Sequence, residues 1–231
     1  MKNAVISLGL AGFCAAGLAL TPAFSGRAFA EDKKVELKFE IPAPYYGGTP
    51  LNYTSPNLEE PDFKPRPAFF APDGTALLSK GKPVTTDAGE PRFGKLTFVT
   101  DGDKSYQEKS LLGLAPGKHY VQIDLQQEAT IYALLLWHYH EADRVYFHTI
   151  VQVSSDADFT KDVTTVFNND AENKEGMGIG KDKEYIEKNT GRLIDAKGAK
   201  GRYVRFYANG NTSDDLSHYV EAEVWGKPAA K

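Results

Sequence analysis

Tyr120-Val121-Gln122-Ile123-Asp124-Leu125, followed by Ile131-Tyr132-Ala133-Leu134-Leu135-Leu136-Trp137, decides the fold of this chain. The first stretch alternates apolar and polar residues, and because side chains of a strand point to opposite faces in turn, it reads as a strand with one buried face. The second is continuously apolar. At seven residues it is too short for a typical buried helix and suits a strand covered on both sides. Outward from this pair the pattern repeats at Val145–Val153, Val163–Phe167, Arg202–Tyr207 and Tyr219–Trp225, each run bounded by turn residues, with no convincing helical periodicity between them. Asp156–Lys161 has room for one helical turn at most. Regularly spaced strands without crossover helices predict an all-β chain folded as a jelly-roll β-sandwich.

Upstream of the strands the chain changes character. Lys2, the apolar stretch Ala4–Leu20, Pro22 and the exit Ala28-Phe29-Ala30 have the form of an export signal covering 1–30, with the mature chain starting at Glu31 and secreted or periplasmic. The only cysteine, Cys14, lies inside that segment, so the mature chain has neither disulfide nor thiol chemistry. Of thirteen prolines, ten fall between Pro42 and Pro91. Proline fixes φ and lacks a backbone donor, so 31–78 reads as an extended Pro-rich arm, entered by one alternating strand at Val35–Ile41. The arm's aromatic residues, Tyr45, Tyr46, Tyr53, Phe63, Phe69 and Phe70, favour an ordered wrap over disorder. The sandwich domain then covers 79–227.

Charge excludes one class of partner. The whole chain has 27 Lys and Arg against 31 Asp and Glu, a net of −4, and removal of Lys2 and Arg27 with the signal leaves 25 against 31, a net of −6. An acidic chain without a basic run does not fit a phosphate backbone, so nucleic acid is not the expected ligand. The loop Asn168–Lys181 mixes oxygen side chains with glycines but matches neither a phosphate loop nor an EF-hand, and it reads as a solvated connection.

Five segments in order carry a resemblance: Val99-Thr100-Asp101-Gly102-Asp103, Tyr120–Leu125, Arg144-Val145 leading into Val151-Gln152-Val153-Ser154, Arg202-Tyr203-Val204-Arg205-Phe206, and Val220-Glu221-Ala222-Glu223-Val224-Trp225-Gly226. Together they resemble the discoidin domain, also called the coagulation factor V/VIII C-type or galactose-binding-like domain, over about Ser79 to Lys227. The resemblance implies a jelly-roll sandwich; many members bind galactose-like sugars, others phospholipid head groups or proteins. The chain departs from the pattern at Tyr120, where the family often has Trp, and at Gln126, where it usually has Gly. The family's sugar-contacting loops do not align here, so no contact residue is carried over. The family brings the Asp101-Gly102-Asp103 turn next to Glu221, and three carboxylates with backbone carbonyls suit a hard cation, so Asp101, Asp103 and Glu221 are the candidate ligands of a structural calcium. The alternative is that both aspartates merely serve the turn.

Two segments concentrate binding chemistry beside strand ends. If Glu141-Ala142-Asp143 is a tight turn, His138, His140, Arg144, Tyr146 and His148 share one face of a hairpin. Imidazoles, a phenol and a guanidinium can stack on and hydrogen-bond a pyranose, or can equally close the end of the sandwich as structure. Asn209-Gly210-Asn211-Thr212-Ser213 with His218 is the second segment. Trp137, His138, His140, Arg144, Tyr146, Asn209, Asn211 and His218 are therefore the candidate ligand-binding residues, with Trp137 better suited to the core than to a platform. A zinc hydrolase using the histidines with Glu141 or Asp143 matches no zinc signature, and Asp215, Ser217 and His218 lack a nucleophile elbow. The expected function is a secreted, non-catalytic module that binds a glycan or cell-surface polysaccharide. The runner-up is membrane or protein adhesion, with a metal-dependent hydrolase behind it.

Overall fold

The structure is a computed structural model that describes residues 33–44, 53–62, 64–105 and 107–229. The expected export signal with its exit before Glu31, and Tyr45, Tyr46 and Phe63 of the arm, lie outside the described residues. Among the described residues eleven strands carry the fold: β1 (Lys34–Glu36), β2 (Phe70–Pro72), β3 (Ala76–Leu77), β4 (Val84–Thr86), β5 (Leu112–Leu114), β6 (His119–Trp137), β7 (Ile150–Ser154), β8 (Thr164–Asn168), β9 (Arg192–Ala208), β10 (Ser217–Tyr219) and β11 (Glu221–Pro228). The main sheet has the order β3-β11-β6-β9-β7-β8, with β4 also on β6, and all its ladders are antiparallel. Two ribbons accompany it, β1-β2 and β10-β5.

The two stretches that open the sequence argument are halves of one strand. The register of β6 against β9 breaks between Asp124 and Ala129 and again between Ile131 and Ala133, with Gln126 and Lys197 at positive φ near the breaks. Such irregularities bend a ladder. Before the bend β6 pairs with β4, and after it with β11. Val121, Ile123 and Leu125 of the first half and Leu134 and Leu136 of the second therefore meet in one core, joined by Val151, Val153, Val204, Phe206, Ala222 and Val224. The chain is an all-β sandwich closed by its own long strands.

The opposite face of the second half of β6 is also covered, as its unbroken apolar run requires. Ala133 packs with Leu37 and Ala71, while Leu135 and Trp137 pack with Leu111 and Val220, and Phe39 lies against both groups. Leu37, Phe39 and Ala71 come from the Pro-rich segment. Its ribbon β1-β2 is shorter than the Val35–Ile41 alternation predicts; Leu37 still donates its N–H to the Phe69 carbonyl. Arg66 donates to the carbonyls of Thr190 and Gly191, Arg192 pairs with Glu59, and Tyr53 donates to Glu184 at 2.6 Å. Among the described residues no helix is long and apolar enough to cross a membrane.

Candidate functional site

The local sequence around Phe93 builds a ring with one face to solvent. β5 and β10 pair so that His218 lies opposite Gly113, and the strand residue Gly113 also exchanges backbone hydrogen bonds with Arg92 and Phe93. Gly113 has no side chain, and its bare backbone is the surface on which the Phe93 ring rests: a Cβ there would meet ring carbons at 2.4, 2.5 and 2.8 Å. Phe93 is 40% exposed, an unusual position for a ring that is otherwise supported, and stacks on the His218 imidazole at 5.7 Å between centroids. The two rings floor a depression of ≈ 1010 Å³, whose walls include Gln107, Lys109, Tyr139, Glu141 and Arg144.

Fixed charges and hydrogen bonds hold the wall. Arg144 lies over the Tyr139 ring at 4.7 Å and pairs with Asp214 at 2.9 Å, while the Tyr139 hydroxyl donates to Glu141. Asn211 supports Asp214 in turn, donating to its carboxylate at 2.7 Å. Burial pushes the Asp214 carboxyl up, but the Asn211 amide and the nearby His218 and Arg144 outweigh it and keep the carboxyl below its ordinary value. Burial, with Arg144 and His138 adding, pushes the His218 imidazole down to about 4, against an opposing pull from Asp214. The imidazole is therefore neutral at pH 7. Its Nδ1 accepts the Tyr146 hydroxyl at 2.9 Å, from a phenol that burial holds protonated. A neutral floor, an exposed aromatic face and one oriented guanidinium can stack on an apolar ring face and donate to hydroxyls at its edge.

Of the residues expected here from sequence, Arg144 and His218 line the depression. The hairpin that was to group the others does not form. β6 ends at Trp137, Val145 bridges Ile186, and Tyr146 bridges Asn211. His138 and Tyr146 nevertheless stack at 4.2 Å, inside the protein, with His138 bound to Glu187 at 2.6 Å. Trp137, His138 and Tyr146 are buried and present no surface to a ligand: the continuous apolar run carries Trp137 inward, where its Nε1 donates to the Asn189 carbonyl. His140 is buried with Nε2 at 3.0 Å from the Lys104 carbonyl, a structural placement. His148 leaves the group altogether to pair with Glu175. Asn209 and Asn211 line a shallower cleft of ≈ 330 Å³ with Phe147, Asp214 and Asp215. Phe93, Lys109 and Gln107 were missed; the one signal for them was a glycine in the otherwise apolar Leu112-Gly113-Leu114, which marks a close approach.

The Asp101 turn and Glu221 do come together, with the Gly102 N–H donating to Glu221 Oε2 at 3.0 Å. Glu221 Oε1 is buried without a hydrogen-bond partner, and burial pushes this carboxyl up to about 9. The aspartates serve the turn: Asp101 accepts the Asp103 N–H, and Asp103 accepts the Ser105 N–H and the Ser110 hydroxyl. Among the described residues no three His, Cys, Asp or Glu side chains are gathered as a metal cage.

Comparison with known proteins adds an outline. No family model and no curated protein matches the chain. Among solved structures the chain is similar to carbohydrate-binding modules. They include a truncated AlyQ with CBM32 and alginate lyase domains (14% identity, TM-score 0.49, 68% of this chain and 34% of that one). A second is a CBM32 module of a Clostridium perfringens family 89 glycoside hydrolase protein bound to GlcNAc-α-1,4-galactose (17%, 0.48, 67% and 96%). A third is a chitosan-binding module from a Paenibacillus chitosanase/glucanase (18%, 0.45, 65% and 98%). The chain spans about a third of the first of these and 15% of a family 89 glycoside hydrolase from Clostridium perfringens. All these scores fall below 0.5, so the fold rests on the chain's own strands and the function on its own residues.

Proposed function

We propose that this chain is an exported, non-catalytic glycan-binding sandwich whose ligand stacks on Phe93 and is held at its edge by Arg144. The observation that carries the reading is the half-exposed Phe93 ring, supported from beneath by Gly113 and a neutral His218. An aromatic ring normally buries; one seated on a purpose-made gap and left open suits the C–H face of a pyranose. A guanidinium fixed by Asp214 loses little freedom on donating to a hydroxyl. The export signal at 1–30 supports a secreted or periplasmic setting.

A glycan array on the mature protein tests the reading. Binding to one sugar class, with no release of reducing ends from it, is the expected result. Binding to anionic liposomes or to protein with a silent array would replace it by the adhesion reading, and chelator-sensitive hydrolysis by the enzyme reading. Calcium belongs to the same proposal as a structural ion. Glu221, with its unpartnered oxygen, is the side-chain donor that supports this; Asp101 and Asp103 would have to give up their turn contacts to join it, and the ion would then clip the turn to β11.

A further inference from the structure

The Arg144–Asp214 ion pair joins two hollows: Arg144 lines the Phe93 depression, and Asp214 lines the cleft of ≈ 330 Å³ with Gly117, Phe147, Asn209 and Asp215. An antiparallel ribbon builds that cleft. The Phe147 N–H donates to the Gly210 carbonyl at 3.1 Å, the Phe147 carbonyl accepts the Asn209 N–H at 3.0 Å, and the Thr212 N–H donates to the Val145 carbonyl. Side chains alternate along a strand, so the burial of Tyr146 turns Phe147 the other way. Phe147 is half-buried there, its ring braced 5.5 Å from that of Tyr53. The cleft therefore has a fixed aromatic wall with part of its surface open.

The side-chain donors of the cleft are already used. Asn209 Nδ2 donates to Glu175 Oε1 at 2.8 Å, an oxygen that also holds His148 at 2.5 Å, and Asn211 Nδ2 donates to Asp214 and to the Leu216 carbonyl. Glu175 belongs to the loop Asn168–Lys181, which thus orients the Asn209 amide as well as connecting strands. The Asp214 carboxylate is taken by Asn211, the Leu216 N–H and Arg144, and the Lys118 ammonium by the Glu175 carbonyl. Two acceptors are left. Asn209, half-buried, keeps its Oδ1, and Asp215 is an exposed residue whose carboxylate has neither ion pair nor hydrogen bond among the described residues. Open acceptors beside an aromatic ring suit a unit that offers hydroxyl donors and an apolar C–H face. An anionic unit would set its charge against Asp215.

We infer that this cleft is a second subsite, taking an uncharged saccharide unit that packs on Phe147 and donates hydroxyls to Asn209 Oδ1 and the Asp215 carboxylate, while another unit of the same chain lies on Phe93. The inference rests on the glycan reading of the Phe93 depression. With one unit seated there, the second contact becomes intramolecular, so a chain of units binds more tightly than a single one.

The test titrates the mature protein with D-galactose, D-glucose, N-acetyl-D-glucosamine and D-galacturonate, and with the tetrasaccharide of each, by calorimetry for affinity and by ¹H–¹⁵N spectra for position. At least one neutral tetrasaccharide should shift the amide signals around Phe93 and also those of Gly210 and Asp215, and should bind at least about tenfold more tightly than its single unit. Asp215→Ala should remove most of that gain, and its Tm should match that of the parent because the residue is exposed. Shifts around Phe93 with equal affinities for one unit and four, and none at Gly210, would overturn the inference and leave the Phe93 reading standing. So would a gain that survives Asp215→Ala, or an equal gain for the galacturonate chain. The absence of any shift around Phe93 with all these sugars would overturn the Phe93 reading and the inference with it.

Discussion

Gly113→Ala tests the seat of the Phe93 ring without touching any group that meets the ligand. The added methyl would lie 2.4 Å from the nearest ring carbon, whereas carbon atoms rest about 3.5–4.0 Å apart, so the ring must retreat by at least about 1 Å. It has somewhere to go, being 40% exposed, and the backbone of Gly113 pairs with His218 in a ribbon that alanine can join. Overpacking of this kind costs about 1–3 kcal/mol when the neighbours resist, and the low end is expected where one neighbour can swing into solvent. Binding should suffer more than folding. The ring loses its stack on His218, and affinity for the best array glycan should fall on the order of tenfold, equivalent to about 1.4 kcal/mol. Calorimetric titration beside thermal melting reads both quantities, with Phe93→Ala as the reference for complete loss of the platform. Unchanged affinity in Gly113→Ala with a displaced Phe93 ring would refute the stacking argument.

Arg144→Ala should remove glycan binding and lower the Tm by no more than a few degrees, because its partner Asp214 is partly exposed and regains water; affinity equal to wild type would move the site elsewhere. His140→Ala should instead lower the Tm clearly, since the residue is buried against the Lys104 carbonyl, and a selective loss of binding would contradict that placement. The depressed His218 value sets a pH window: the folded state resists protonation, so stability is retained above the ordinary histidine value and falls as pH drops from about 6.5 toward 4, by roughly 3 kcal/mol for the full shift. His218→Phe, which cannot charge, should flatten that part of the Tm profile, and an unflattened profile would assign the loss to another group. Added calcium should raise the Tm and chelator lower it, with Glu221→Gln blunting the response; no movement across the titration and no metal by elemental analysis would remove the ion.

The sandwich was legible because alternation and burial are local statements. Val121, Ile123 and Leu125 face the core as their spacing says, and the continuous run after Ile131 is covered on both faces. The first half of β9 was not legible: Arg192–Lys200 buries only Ile194 and Ala196, and Lys197-Gly198 interrupts it opposite the second register break of β6, between Ile131 and Ala133. At the candidate site the sequence was a partial guide: Arg144 and His218 line the depression, whereas Trp137, His138 and Tyr146 lie inside the protein. His138 and Tyr146 do touch, through a loop tied to Ile186 and Asn211 and not through a hairpin, and no periodicity reports such long-range bridges. Phe93 stands alone between prolines, glycines and charges, so its partner could be seen only once Gly113 lay beneath it.

The most direct measurement is a crystal structure of the mature protein with the tightest glycan from the array. The account predicts a sugar ring lying face-on against Phe93 with a hydroxyl within hydrogen-bond reach of the Arg144 guanidinium, and the His218 floor unmoved. A glycan seated on another surface, with Phe93 still bare, would contradict it.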